Sequence, residues 1–302
     1  MSLAELYKNK FLPIAALLFG AALWGVIWHP YRLLEHARIS PATSTWITYF
    51  IALLLGLLFL RKNLTRTNLG VGKPYLLIGI AIAAGVTNMA YVLGVVYGEV
   101  MRVLLLFYLA PLWTILFARW LLDEELSLHG YLVIALSLAG AITMLWRGGA
   151  LPVPASFADW MGVLGGFMFA LSNVLVRKDQ HHSVSAKAVA VWVGVTLIGM
   201  TYSLVETSLS PVPSNLAWSE ISGHLWLVLL VLGITIFILS VTVQFGLTYT
   251  PANQAIVILL FELVVAAIAA YFLADEAMSV NEWVGGAMIV SASVFSARMN
   301  RA

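Results

Sequence analysis

Glu262 is the residue whose type and place most demand a chemical reason. Apolar residues flank it, Ile256 to Phe261 before and Leu263 to Ile268 after. An ionised carboxylate in such a stretch costs about 2.5 kcal/mol or more once the stretch lies in lipid, so it faces a cavity or a partner. Two readings follow. The carboxylate binds a substrate amine or carries a coupling proton, or it is a protonated or capping group that fixes a packing contact. Gln254, Ile258, Glu262 and Ala266 stand at i, i+4 spacing and share one stripe of a continuous helix. Asn88 and Tyr91, Asn173 and Gln244 are further polar groups inside apolar runs. Each either ties two helices together, at about 0.6 kcal/mol per hydrogen bond, or joins Glu262 around the polar end of a ligand. Trp24, Tyr91 and Tyr108 either pack their helices together or, as a set, wall a planar ring through the edge and face preferences of aromatic pairs.

Other chemistry is missing. There is no P-loop, no nucleophile elbow and no HExxH. Cysteine is absent, which removes disulfides and thiolate sites. His181-His182 stands in a charged segment without spaced ligands and reads as a solvated loop. No catalytic residue, metal or cofactor is expected, and an enzyme or scaffold is the weaker class. An enzyme needs a convergent reactive cluster, and a scaffold has no need of polar groups at mid-bilayer.

These residues must be positioned by helices in a membrane. Of 302 residues, 62% are hydrophobic and only 10% charged, against roughly 25% charged in soluble domains. Mean hydropathy is +0.95. A net charge of +2 argues against nucleic acid as a partner. Apolar runs long enough to span lipid fall near 11–30, 42–60, 75–97, 100–122, 128–146, 158–176, 186–206, 224–247, 252–274 and 281–297. They are too continuous for barrel strands. The first is read as a retained span. With a cytoplasmic N-terminus, the inner segments hold Lys8, Lys10, Arg61, Lys62, Arg66, Lys73, Arg119, Arg177, Lys178, Lys187, Arg298 and Arg301. The outer ones hold only Arg32, Arg38, Arg102 and Arg147. The positive-inside bias therefore puts both termini in the cytoplasm.

A shift of 152 residues lays Asp123-Glu124-Glu125-Leu126-Ser127 over Asp275-Glu276-Ala277-Met278-Ser279, and Gly94 and Tyr97 over Gly246 and Tyr249. Five spans per half is odd, so the second half enters from the opposite side. The expected fold is all-α: ten transmembrane helices as two inverted five-helix repeats, 1–147 and 159–302, around a central cavity. A short linker, 148–158, makes them one packed unit. Inverted repeats place substrate near the midplane between halves. Equivalent tight hairpins are expected at Gly98-Glu99 and at Tyr249-Thr250-Pro251, and Pro111 should kink the fourth span by removing a backbone donor. Gly98, Pro111 and Pro251 are thus the gating candidates. Gly94-Gly98 and Gly162-Gly166 mark close helix approaches.

The chain resembles the drug/metabolite transporter superfamily, in its ten-helix EamA-type exporters. The resemblance rests on Trp24-Gly25, Pro111, Leu122-Asp123-Glu124, Ala274-Asp275-Glu276, Tyr249-Thr250-Pro251-Ala252 and Glu262. Leu263 stands where the family often has proline, so the motif carries no second kink. Within the superfamily the chain looks most like YddG-type aromatic amino-acid exporters. The resemblance implies secondary transport of aromatic or other hydrophobic amino acids out of a bacterial cytoplasm, across the inner membrane. A broader drug, nucleoside or sugar transporter is the alternative.

Overall fold

The structure is a computed structural model that describes residues 11–64, 72–98, 100–146, 153–209, 221–273 and 278–299. Glu99, the acidic helix end at 274–277, both chain ends and the first part of the linker lie outside the described residues. Helices account for nearly all of the rest, and no extended strand is present among the described residues. They are α1 (Phe11–His36), α2 (Pro41–Phe59), α3 (Pro74–Tyr97), α4 (Val100–Phe107), α5 (Ala110–Leu122) and α6 (Leu128–Leu145). The second half holds α7 (Phe157–Lys178), α8 (Val184–Leu209), α9 (Gly223–Tyr249), α10 (Ala252–Leu259), α11 (Phe261–Leu273) and α12 (Val280–Phe295). α4 with α5, and α10 with α11, are single spans interrupted in the middle. Among the described residues, nine spans are long and apolar enough to cross a membrane, and α12 is a shorter tenth rod of 16 residues.

Local sequence explains where these helices begin. A helix start leaves N–H groups without partners, and serine hydroxyls take them up. Ser40, Ser127, Ser156, Ser222 and Ser279 do so for α2, α6, α7, α9 and α12. Ser156 with Asp159, and Ser279 with Glu282, complete capping boxes. Proline opens α2, α3 and α5, where its missing donor is harmless. Asp123 ends α5 in the left-handed region at φ 55°.

The halves interlock rather than sit side by side. α1 packs on α9, α10 and α11, while α7 packs on α3, α4 and α5. α2 meets α8 and α9, α8 also meets α3, and α6 pairs with α12. Exchanging the halves maps this contact set onto itself, as a pseudo-two-fold axis requires. Small residues permit the approach. A Cβ on Gly194 of α8 would lie 1.9 Å from the Ala81 carbonyl oxygen of α3. On Gly162 and Gly166 of α7 it would lie 2.8 Å from the Val103 oxygen and 2.3 Å from the Phe107 oxygen of α4. Gly98, at the hairpin, would meet Ala158 Cβ at 2.4 Å.

Gly194→Ala is therefore expected to destabilise the bundle, by about 1–3 kcal/mol as for other overpacked sites. Gly223→Ala, with nothing within 4 Å, is the control. Thermal melts in detergent check this, with a lower midpoint for the first variant alone.

Candidate functional site

Both interruptions fall at repeat-equivalent places. In the fourth span Tyr108 and Leu109 leave the helix just ahead of Pro111, and in the ninth span Leu260 does. Tyr108 and Leu260 are related by the 152-residue shift. The second break occurs without proline, at a span with Leu263 in the proline position, which corrects the single-kink expectation. The freed backbone groups are taken up in tightened turns, as lipid surroundings require. Tyr108 N–H donates to Leu104 O at 2.8 Å, Leu112 N–H to Leu109 O at 2.9 Å, and Leu263 N–H to Leu260 O at 3.1 Å. The break also divides the stripe read from the sequence. Gln254 and Ile258 belong to α10, Glu262 and Ala266 to α11. Gln254 lies 3.5 Å from Ser296 Oγ, away from Glu262.

The break places Glu262 in the first turn of α11. The partial positive charge of a helix N-terminus favours a carboxylate there. Tyr108, at the other break, donates its hydroxyl to Glu262 Oε1 at 3.0 Å. One hydrogen bond thus joins the interruption of one half to that of the other. Glu262 is half-buried. Gly25 explains how α1 comes so close. A Cβ there would lie 2.8 Å from the Glu262 carbonyl oxygen and 2.9 Å from Ala266 N. Trp24, the preceding residue, is half-buried on the same helix.

Aromatic rings adjoin this pair. Phe107 makes edge contacts with Tyr91 (5.6 Å) and Tyr108 (5.4 Å), and lies 5.5 Å from Phe169 of α7. Tyr91 retains 38% exposure. Phe107 and Phe169 were missed in the sequence, where phenylalanine in an apolar run has no distinguishing mark. Asn88 donates locally to Ala84 O at 2.9 Å. Asn173 and Gln244 are buried, and Asn173 Nδ2 and Gln244 Oε1 have no hydrogen-bond partner among the described residues. They do not bond Glu262. They lie one turn deeper than Val176 and Thr248, toward one end of the bundle. Pro111 opens α5 and Pro251 precedes α10.

A model of the EamA-like transporter family matches this chain twice, over residues 12–146 and 156–298. The chain belongs to the EamA-like transporter family. An uncharacterized transporter from Archaeoglobus fulgidus is 25% identical over 278 residues, spanning 92% of this chain and 93% of that protein. A crystal structure of an 18% identical protein superposes with a TM-score of 0.74 over 94% of this chain and 97% of that one, a likeness of fold. This EamA-like protein is therefore a multi-pass membrane transporter, with a small molecule as its cargo and lipid around it.

The end of the bundle where α5, α7 and α9 finish and α10 starts holds a second polar group. Glu124 accepts from the Ala252 N–H at 3.1 Å, the first residue of α10. Arg177 approaches Glu124 at 3.7 Å and donates to Thr248 O at 2.7 Å. Lys187 is fully buried and donates to Val176 O at 2.9 Å and Thr248 Oγ1 at 3.1 Å. His182 is not the solvated loop residue expected from its neighbours. It is buried, 2.7 Å from Asp179.

Burial lifts the Glu124 carboxyl above its ordinary value of 4.5, and the nearby Arg177 and the α10 N–H groups only partly offset that. An acid raised by folding favours the protonated folded state. Its contribution to stability is fully present below 4.5 and is lost as pH rises through the raised value. Melting midpoints of the parent and Glu124→Gln in detergent, from about pH 4 to about pH 8, are expected to converge at the acid end. At the neutral end the parent loses stability relative to the variant.

Proposed function

We propose that this transporter exports small amphipathic metabolites, aromatic amino acids foremost, by alternating access around the two interrupted spans. The observation that carries the reading is the Tyr108–Glu262 hydrogen bond. It lies where a broken helix from each half meets, the arrangement that binds substrate in inverted-repeat transporters. Glu262 receives the substrate ammonium or the coupling proton. Tyr91, Tyr108 and Trp24 offer ring faces and edges to an aromatic side chain, with Phe107 and Phe169 behind them. Asn88, Asn173 and Gln244 line the polar route on either side. The hairpins at Gly98 and Pro251, with Pro111 at the break, carry the motion. The repeats 1–147 and 159–302, joined by 148–158, move as parts of one unit. The positive-charge bias supports both termini in the cytoplasm, so the Glu124 end faces the cytoplasm, and the resemblance to bacterial exporters supports an inner membrane.

Counterflow of labelled tryptophan in proteoliposomes tests this reading. Uptake above empty liposomes is expected, and its absence for every amino acid would sink the substrate class. Competition by sugars, nucleosides and cationic drugs separates the broader metabolite reading. Tyr108→Phe should lower the rate roughly ten- to hundred-fold, because a hydrogen bond to a charged group is worth about 1.5–3 kcal/mol. Glu262→Gln should lose transport and its pH dependence. Wild-type rates for that variant at every pH would remove the carboxylate from the mechanism.

A further inference from the structure

The Glu124–Arg177 group belongs to neither the aromatic cluster nor the Tyr108–Glu262 pair, yet it joins separate moving parts. Glu124 follows α5 of the first half. Arg177 is in the last turn of α7, and Thr248 and Ala252 are the two sides of the α9–α10 hairpin. A single carboxylate holds the hairpin N–H, and its guanidinium partner holds the hairpin carbonyl. Whatever moves the hairpin away from α5 and α7 must break all of these bonds together.

At the opposite end the repeat counterpart of Glu124, Glu276, lies outside the described residues. Gly25 of α1 packs against the Glu262 turn, and Ala170 of α7 clusters with Ala110, the repeat equivalent of Glu262. Seven residues further along each helix stand Arg32 and Arg177. Arg32 is exposed and lies over the Trp28 ring at 5.5 Å. It makes no ion pair among the described residues.

We propose that Glu124, Arg177 and the α9–α10 hairpin form a latch that closes this end of the transporter and opens once per cycle. The proposal rests on the alternating-access reading of the same fold. The latch is held lightly: both side chains are part-exposed, so the ion pair itself adds little, and the bonds from Ala252 N–H to Glu124 and from Arg177 to Thr248 O fix the closed register. That property suits a switch. It defines one closed register without making it too stable to leave.

The chain has no cysteine, so Ala252→Cys supplies a single thiol at a position only 2% exposed when the latch is closed. Its maleimide reaction rate in purified full-length protein reports opening and needs no substrate. Arg177→Ala is expected to raise that rate about tenfold, on the scale of one lost hydrogen bond from a charged group, here that to Thr248 O. Adding Glu124→Gln should bring the rate back toward the parent, because the amide still accepts the Ala252 N–H and no lone charge remains. A thiol at Ala292, fully buried in α12, should stay unreactive throughout, which separates opening from unfolding. Should Arg177→Ala fail to give monodisperse protein, Arg177→Gln serves with the same expectation. An unchanged rate, or a raised rate that Glu124→Gln does not lower, overturns the latch. Opening by this measure with no amino-acid counterflow would instead overturn the substrate reading and leave the latch standing.

Discussion

In a bilayer a helix can be interrupted only where protein, not lipid, surrounds the backbone groups set free. Two of the ten spans here are interrupted at mid-length, and much of the fold can be read as cover for those two places. α7 crosses the first break with Gly162 and Gly166 against the Val103 and Phe107 carbonyls. α1 crosses the second with Gly25 against the Glu262 carbonyl. Each covering helix comes from the opposite half, so neither half could bury its own break alone. Interlocking follows from that need, as does glycine at positions where any side chain would hold the covering helix away.

The cover is symmetric and the chemistry is not. At the first break the two equivalent positions hold Tyr108 and Ala110, at the second Leu260 and Glu262. The polar pair therefore takes one member from each break. Its mirror pair, Leu260 and Ala110, is apolar and buried. A two-fold scaffold thus carries a one-sided hydrogen bond. That asymmetry is what the proposed single substrate site would need, since an alternating scaffold must repeat while its recognition group does not.

Much of this was legible before any coordinates. Continuous apolar runs gave ten spans, because lipid leaves few other ways to satisfy a backbone. The hairpins at Gly98 and Pro251, the break near Pro111 and the isolation of Glu262 were legible for related reasons: each breaks a strong local pattern. The ninth-span break was not, since Leu263 is a good helix former and only the tertiary cover from α1 permits the interruption. Phe107 and Phe169 were hidden by their ordinariness. Lys187, Asp179 and His182 looked like loop charges because sequence position near a helix end does not tell whether another helix end lies on top.

That last miss has a physical pattern. Several charges at the bundle ends sit at helix termini whose partial charge is opposite to theirs; Asp179, at the C-terminus of α7, is an exception, held by the His181 and His182 N–H groups. Lys187 meets carbonyl-side groups in the last turns of α7 and α9. Arg177 meets the last turn of α9, Glu124 the first N–H of α10, and Asp159 the first turn of α7, where Arg102 also reaches it at 2.9 Å. Such matching is worth most where water is excluded. It also constrains motion. A rocking half cannot simply pull a charged side chain off a helix end, because the stranded charge and the orphaned backbone group would both be left in a low dielectric. It must expose the pair to water or trade one terminus for another as it moves. Under the alternating-access proposal, the charged contacts at the ends of the bundle are then what each opening must rearrange, while the Tyr108–Glu262 bond at the centre is a single hydrogen bond.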